Sequence, residues 1–246
     1  MALAKDREAW VSEESLAGLS ELLGDPPSFA GRRHQALERF RDLPLEPNPL
    51  YRQYGYFNGV DLTGLDLPGR GPGVARPALG KRTVQVIHDA SGTHVELSKD
   101  LADTDIACRD LTAIWAEGGN EALTFSGNPE GFTDRLTALG TATLNRGYSL
   151  DVPAKLTAPV RLQDISVLSR PKESLSVRRV VHVGEGSSIL ATEELFSTPN
   201  LATEQRLYAS STEVRVGPEA RAVFLGVHAP DANAIGVYTR AATLSG

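Results

Sequence analysis

Apolar positions along this chain follow two different periods, and the change from one to the other divides it. Over the first 45 residues the spacing is helical. Leu16, Leu19, Leu22 and Leu23 recur at steps of three and four, Ser12 is placed to cap their helix, and Gly24 to end it, which predicts a helix from about Glu13 to Leu23. Asp25-Pro26-Pro27 breaks the chain. Phe29, Arg33, Ala36, Leu37, Phe40 and Leu43 then keep helical spacing, predicting a second helix capped by Ser28 and running to about Asp42. Residues 46–80 lose periodicity and gather prolines and glycines, so they read as a surface linker anchored by burial of Tyr51, Tyr54, Tyr56 and Phe57. From residue 81 the period becomes two. Thr83–Ile87 and Thr93–Leu97 alternate like strands across an Asp89-Ala90-Ser91-Gly92 turn. Short helices are expected around Leu111–Trp115 and Thr133–Leu139, and β runs fill the remainder.

Within that β region a pattern repeats. Val181-His182-Val183-Gly184 and Val214-Arg215-Val216-Gly217 lie 33 residues apart, each followed by a turn and a second alternating run. A weaker copy, Val152-Pro153-Ala154-Lys155-Leu156, lies about one period upstream. Such a period marks stacked units that cannot bury their apolar faces alone. The expected fold is mainly β, a right-handed parallel β-helix (solenoid) with regular rungs from about 142 to 246, preceded by a small α-helical region over 1–45. Equivalent residues such as Val181 and Val214 should sit on adjacent rungs. Gly184 and Gly217 read as residues for sharp corners. A β-sandwich is the alternative that short strands and turns also describe. The sequence ends in Ala241-Ala242-Thr243-Leu244-Ser245-Gly246, without a helix or charged cap, so the last rung is expected to be covered by another copy, another chain or further residues.

Charge and composition narrow the function. A formal net charge of −6 over 246 residues argues against a nucleic-acid surface. No apolar run is long enough to span a bilayer and the N-terminus is charged from the start, so cytoplasm is the expected location. A single cysteine, Cys108, rules out an intrachain disulfide framework. Cys108 is also the one thiol that could ligate iron or accept sulfur, and one thiolate cannot hold a cluster that usually takes four ligands. His34, His88, His94, His182 and His228 lack metal-site spacing. His228 falls one period beyond Leu195, where Glu193 or Glu194 of the neighbouring rung could approach it as a metal site or an interface pair. No nucleophile elbow, phosphate loop or His-Glu-x-x-His pattern is present. No catalytic residue is assigned, and the chain is read as non-enzymatic. A β-helical carbohydrate enzyme is a structural rival, but no cluster of acid, base and cation supports it.

Several segments in order resemble the SufB/SufD family of iron–sulfur cluster assembly proteins. Leu22-Leu23-Gly24-Asp25-Pro26-Pro27-Ser28-Phe29 with Arg33, Ala36 and Phe40 is similar to the family's Gly-Glu-Pro-x-Trp … Arg-x-x-Ala-x-x-x-Phe entry segment, with Asp25 for Glu and Phe29 for Trp. Leu136–Ala142, Gly147–Pro153, Pro159–Leu162, Arg178–Ser188 and Thr212–Ala220 resemble later family passages. The resemblance implies a parallel β-helix behind N-terminal helices. It also implies a scaffold subunit partnered by a SufB-like protein and a SufC-like ABC ATPase, with a homodimer as the alternative. Family members are typically much longer, with later rungs and a C-terminal helical region where the ATPase docks. The implied cofactor state is no firmly bound group, and a transient iron–sulfur cluster only within a complex. A stand-alone solenoid module without cluster chemistry is the second reading.

Overall fold

The computed structural model describes residues 10–43, 62–67, 69, 71–117, 134–198 and 204–245. The anchoring role expected of Tyr51, Tyr54, Tyr56 and Phe57 lies outside these residues. Helix α1 (Glu13–Leu23) starts at a capping box formed by Ser12 and Ser15 and ends on left-handed Gly24. Helix α2 (Pro27–Asp42) begins two residues earlier than Ser28 capping predicts. Pro26 is its N-cap and Pro27 its first residue, where a missing N–H costs nothing. The expected stripe, Phe29, Arg33, Ala36, Leu37 and Phe40, is buried. Arg33 belongs in it because Asp25 and the Ala142 carbonyl accept its N–H groups, while Phe29 stacks under the guanidinium at 4.6 Å.

Ten strands build two sheets. They are β1 (Thr83–Asp89), β2 (Gly92–Leu97), β3 (Ala107–Asp110), β4 (Arg146–Val152), β5 (Val160–Leu168), β6 (Ser174–Val183), β7 (Ser188–Ser197), β8 (Arg206–Val216), β9 (Arg221–Ala229) and β10 (Ala234–Leu244). Helices α3 (Leu111–Ala116) and α4 (Arg135–Ala142) separate β3 from β4. From β4 onward successive strands pass from one sheet to the other, and each pairs in parallel with the strand two places on. The sheet orders are β2-β1-β5-β7-β9 and β10-β8-β6-β4-β3. This is a parallel β-solenoid of about three turns, with strands making up 44% of the described residues. Val181 pairs with Val214 and Val183 with Val216, as the repeat predicts.

The axial step is less uniform than a 33-residue repeat. Paired residues lie 31 apart between β4 and β6 (Arg146 with Val177), 33 between β6 and β8 (Ser174 with Leu207) and 28 between β8 and β10 (Arg206 with Ala234). Corner length sets the step. The corners at 184–187 and 217–220 have four residues each, so the Val-x-Val-Gly copies stay aligned. Their glycines are needed for close approach rather than for an unusual φ. A Cβ on Gly184 would lie 2.5 Å from the Ala154 nitrogen on the rung beneath, and one on Gly217 would lie 2.9 Å from the Glu185 nitrogen.

Between the sheets, Val84, Val86, Leu150, Val152, Leu162, Val181, Val183, Ile189 and Ala191 form the apolar core. The two outer faces differ. Helices α1, α2 and α4 cover one sheet through Leu207, Ile235 and Val237, and Phe29, Leu111, Ile114 and Trp115 pack on Val180. Residues 71–80 cover part of the other, with Val74 against Ile87, Ile165 and Val167. At the N-terminal end of the stack, β2 and β3 add antiparallel to β1 and β4 and close both sheets. At the far end, β9 and β10 each have one paired neighbour among the described residues. No described helix is long and apolar enough to cross a membrane.

Candidate functional site

A polar column runs through the solenoid beside the apolar core. On one sheet Val86, Asp164, Glu193 and Gly226 occupy one register position, and on the other Tyr148, Arg179, Thr212 and Arg240 do. Arg179 donates to both oxygens of Asp164 at 2.5 and 2.8 Å, and also to Ser166, Tyr208 and Ser210. Neither side chain of the ion pair reaches solvent. Burial alone would raise the Asp164 pKa, but the Arg179 guanidinium outweighs it and holds the carboxyl below its ordinary value. His88 sits 3.7 Å from Asp164, and burial pushes its pKa down to about 3, so the ring is neutral.

The column reaches the surface at the uncovered end. Glu193 accepts from Thr212 at 3.1 Å and from Arg240. His228 lies opposite Leu195, as its spacing predicts, but stacks on Tyr238 at 4.5 Å rather than binding a carboxylate. Burial lowers its pKa and pushes the Tyr238 phenol up to about 12. Beside this polar half, Leu244 is 76% exposed. On the outer face of the same last turn, Val223, Leu225 and Val227 project from β9, next to Leu190 and Phe196 of β7, and all five are exposed. Among the described residues, this end of the molecule carries strand edges with one paired neighbour, an exposed apolar stripe and a Glu193–Arg240 pair.

The other residues singled out from the sequence do not converge. Cys108 pairs with Leu150 across β3 and β4, and its thiol is pushed well above its ordinary pKa by burial and by Asp164, Asp151 and Asp110. Its surroundings therefore disfavour the free thiolate. His34 is exposed on α2, and His182 faces Asp151 at 3.5 Å on an exposed surface. His94 touches Ser91 at 2.7 Å beside the β1–β2 turn. No group of three or more metal-binding side chains occurs among the described residues. Sequence reasoning missed the Asp164–Arg179 pair and the column it belongs to. The available signal was an acidic residue and an arginine at inward positions of strands that otherwise alternate apolar and polar.

Comparison with known proteins supplies one distant relative, and no protein-family model matches the chain. Over 227 residues it is 24% identical to the iron–sulfur cluster assembly protein SufD of Bacillus subtilis (strain 168). The match takes in 87% of this chain and 51% of that protein, so the chain spans about half the relative's length. At this distance the similarity hints at the SufB/SufD family and at a part in iron–sulfur cluster assembly, and it runs through both the helical region and the stacked rungs.

Proposed function

We propose that this chain acts as a non-enzymatic scaffold subunit of SUF-type iron–sulfur cluster assembly, in the cytoplasm, through recognition of a SufB-like subunit and a SufC-like ABC ATPase. The observation that carries the reading is the similarity to SufD across 87% of the chain, together with the stacked parallel rungs. The exposed Val223, Leu225 and Val227 stripe is the surface assigned to the SufB-like partner. Nucleotide hydrolysis belongs to the ATPase. Any cluster is read as cargo of the assembly, since the one cysteine of this chain cannot supply the four ligands a cluster usually takes. Co-expression with SufB-like and SufC-like proteins, followed by size exclusion with light scattering, tests the reading. A stable complex weakened by Leu225→Arg is expected, and no association with either partner overturns it.

A second reading is a stand-alone interaction module with no part in cluster chemistry, favoured by the inert setting of Cys108. Anaerobic reconstitution with iron and sulfide analysis separates the two. Stoichiometric cluster on the co-purified complex, transferred to an acceptor protein, excludes the module.

A further inference from the structure

A cleft of about 380 Å³ opens at the capped end of the stack, away from β9 and β10. Its walls come from three distant parts of the chain: the β1–β2 turn, the junction of β3 with α3, and the first residues of β4. Leu22 and Leu23 at the end of α1 close one side.

The polar groups around it are hydrogen-bond donors. Arg146 is fixed by three backbone carbonyls, donating to Asp89 O at 3.0 Å, Asn145 O at 2.7 Å and Ala90 O at 3.3 Å. No carboxylate forms an ion pair with it among the described residues, and a guanidinium has five N–H groups, so one on each terminal nitrogen is unspent. Trp115 is 4% exposed, and its indole N–H is buried without an acceptor. The Ser91 hydroxyl lies 2.6 Å from Asp89 Oδ1, a carboxylate oxygen that can only accept, so Ser91 donates there. The 2.7 Å contact between Ser91 Oγ and His94 Nε2 must then be donated by the ring, which fixes the proton of His94 on Nε2. Three carboxylates near Arg146 are already engaged. Glu173 accepts from Ser169 N and Arg170 N, Asp89 accepts from Val74 N, Ser91 N, Ser91 Oγ and Gly92 N, and Asp110 caps α3 by accepting from Thr112.

An arginine with no direct ion pair and unspent N–H groups, in the same cleft as a buried donor without an acceptor, calls for an anionic oxygen. Leu22, Leu23 and Leu111 supply an apolar wall that an inorganic ion would leave uncovered. We propose that this cleft binds a small organic oxyanion, its carboxylate or phosphoryl group seated on Arg146 and accepting the Trp115 indole N–H. The site stands independently of the SUF reading and of the recognition surface at the other end.

Two indole N–H signals are available, from Trp10 and Trp115, and a Trp10→Phe variant assigns them. Titrating the ¹⁵N-labelled full chain with citrate and, separately, with phenyl phosphate should move the Trp115 indole signal saturably with at least one of them. Citrate alone assigns a carboxylate ligand, phenyl phosphate alone a phosphoryl ligand. Affinity measured by calorimetry should fall at least tenfold in Arg146→Gln and severalfold in Trp115→Phe, which keeps the stack on Phe29 and removes the donor. If Arg146→Gln does not fold, Arg146→Lys replaces it, with at least a threefold loss expected because an ammonium cannot reproduce the guanidinium fork. A Trp115 signal that drifts linearly with both compounds, or binding undiminished in these variants, overturns the proposal.

Discussion

Removing the Asp164 carboxylate is the sharpest perturbation available to the polar column. In Asp164→Ala, Arg179 keeps only the hydroxyls of Ser166, Tyr208 and Ser210 as partners and loses both charge-assisted bonds. Its side chain is 1% exposed, so water cannot take the place of the carboxylate without opening the core. Breaking one side of a buried pair costs about 3–5 kcal/mol, which is roughly a hundredfold to several thousandfold in the unfolding equilibrium. In urea unfolding followed by circular dichroism, that corresponds to a midpoint lowered by about 1–2 M at unchanged slope. Replacing both partners, as in Asp164→Leu with Arg179→Met, removes the unpaired charge and should cost less than either single change. A single variant within about 1 kcal/mol of the parent, or a double variant as damaged as the sum of the singles, would refute the reasoning.

Two further outcomes follow from the same interior. His88 is neutral in the fold, with a pKa near 3, against about 6.5 unfolded. The unfolded chain therefore binds the extra proton between those values, and stability should fall as pH drops through that window, by up to about 1.4 kcal/mol per pH unit from this group. Asp164, held below its ordinary value, adds a loss of the same sign in more acidic solution. His88→Gln should flatten the stability profile between pH 4 and 6, and an unchanged profile counts against the neutral buried ring. At the corner, Gly184→Ala should cost about 1–3 kcal/mol by overpacking against Pro153 and Ala154, whereas Ala at the φ-unstrained, uncrowded Gly31 of α2 should not destabilise. Thermal melts of the pair check this contrast.

The parts legible in the sequence are those written in a single local period. The structure keeps the Ser12 cap, the two Val-x-Val-Gly copies and, of the Leu16, Leu19, Leu22 and Leu23 stripe, the burial of Leu16 and Leu19, while Leu22 is exposed. What escaped depends on partners far along the chain. Arg178 and Arg179 are adjacent and both buried, one on each face of β6. Arg178 lies under the helices with Ser211 and Glu213, and Arg179 lies inside with Asp164. Alternation alone would put one of them in water. It cannot register that helices cover the outer face, or that a carboxylate 15 residues upstream sits across the interior. The unequal axial steps escaped because corner lengths vary while the strand pattern does not. The cleft escaped because Trp115, His94 and Arg146 share no local pattern. Cys108 drew attention as the only thiol, and its neighbours, not its rarity, decide that it is inert.

The account depends on residues 33 apart lying side by side on one sheet. His182 and Arg215 are paired on neighbouring parallel strands with exposed side chains, at about 4.8 Å between backbones, within the span of a disulfide. In a Cys108→Ser background, the His182→Cys, Arg215→Cys pair should oxidise nearly completely to an intramolecular disulfide. Asp151→Cys with Arg215→Cys, two rungs apart, should not. Free thiols in the first pair, or a cross-link as ready in the second, would contradict the stacked solenoid and the function argued from it.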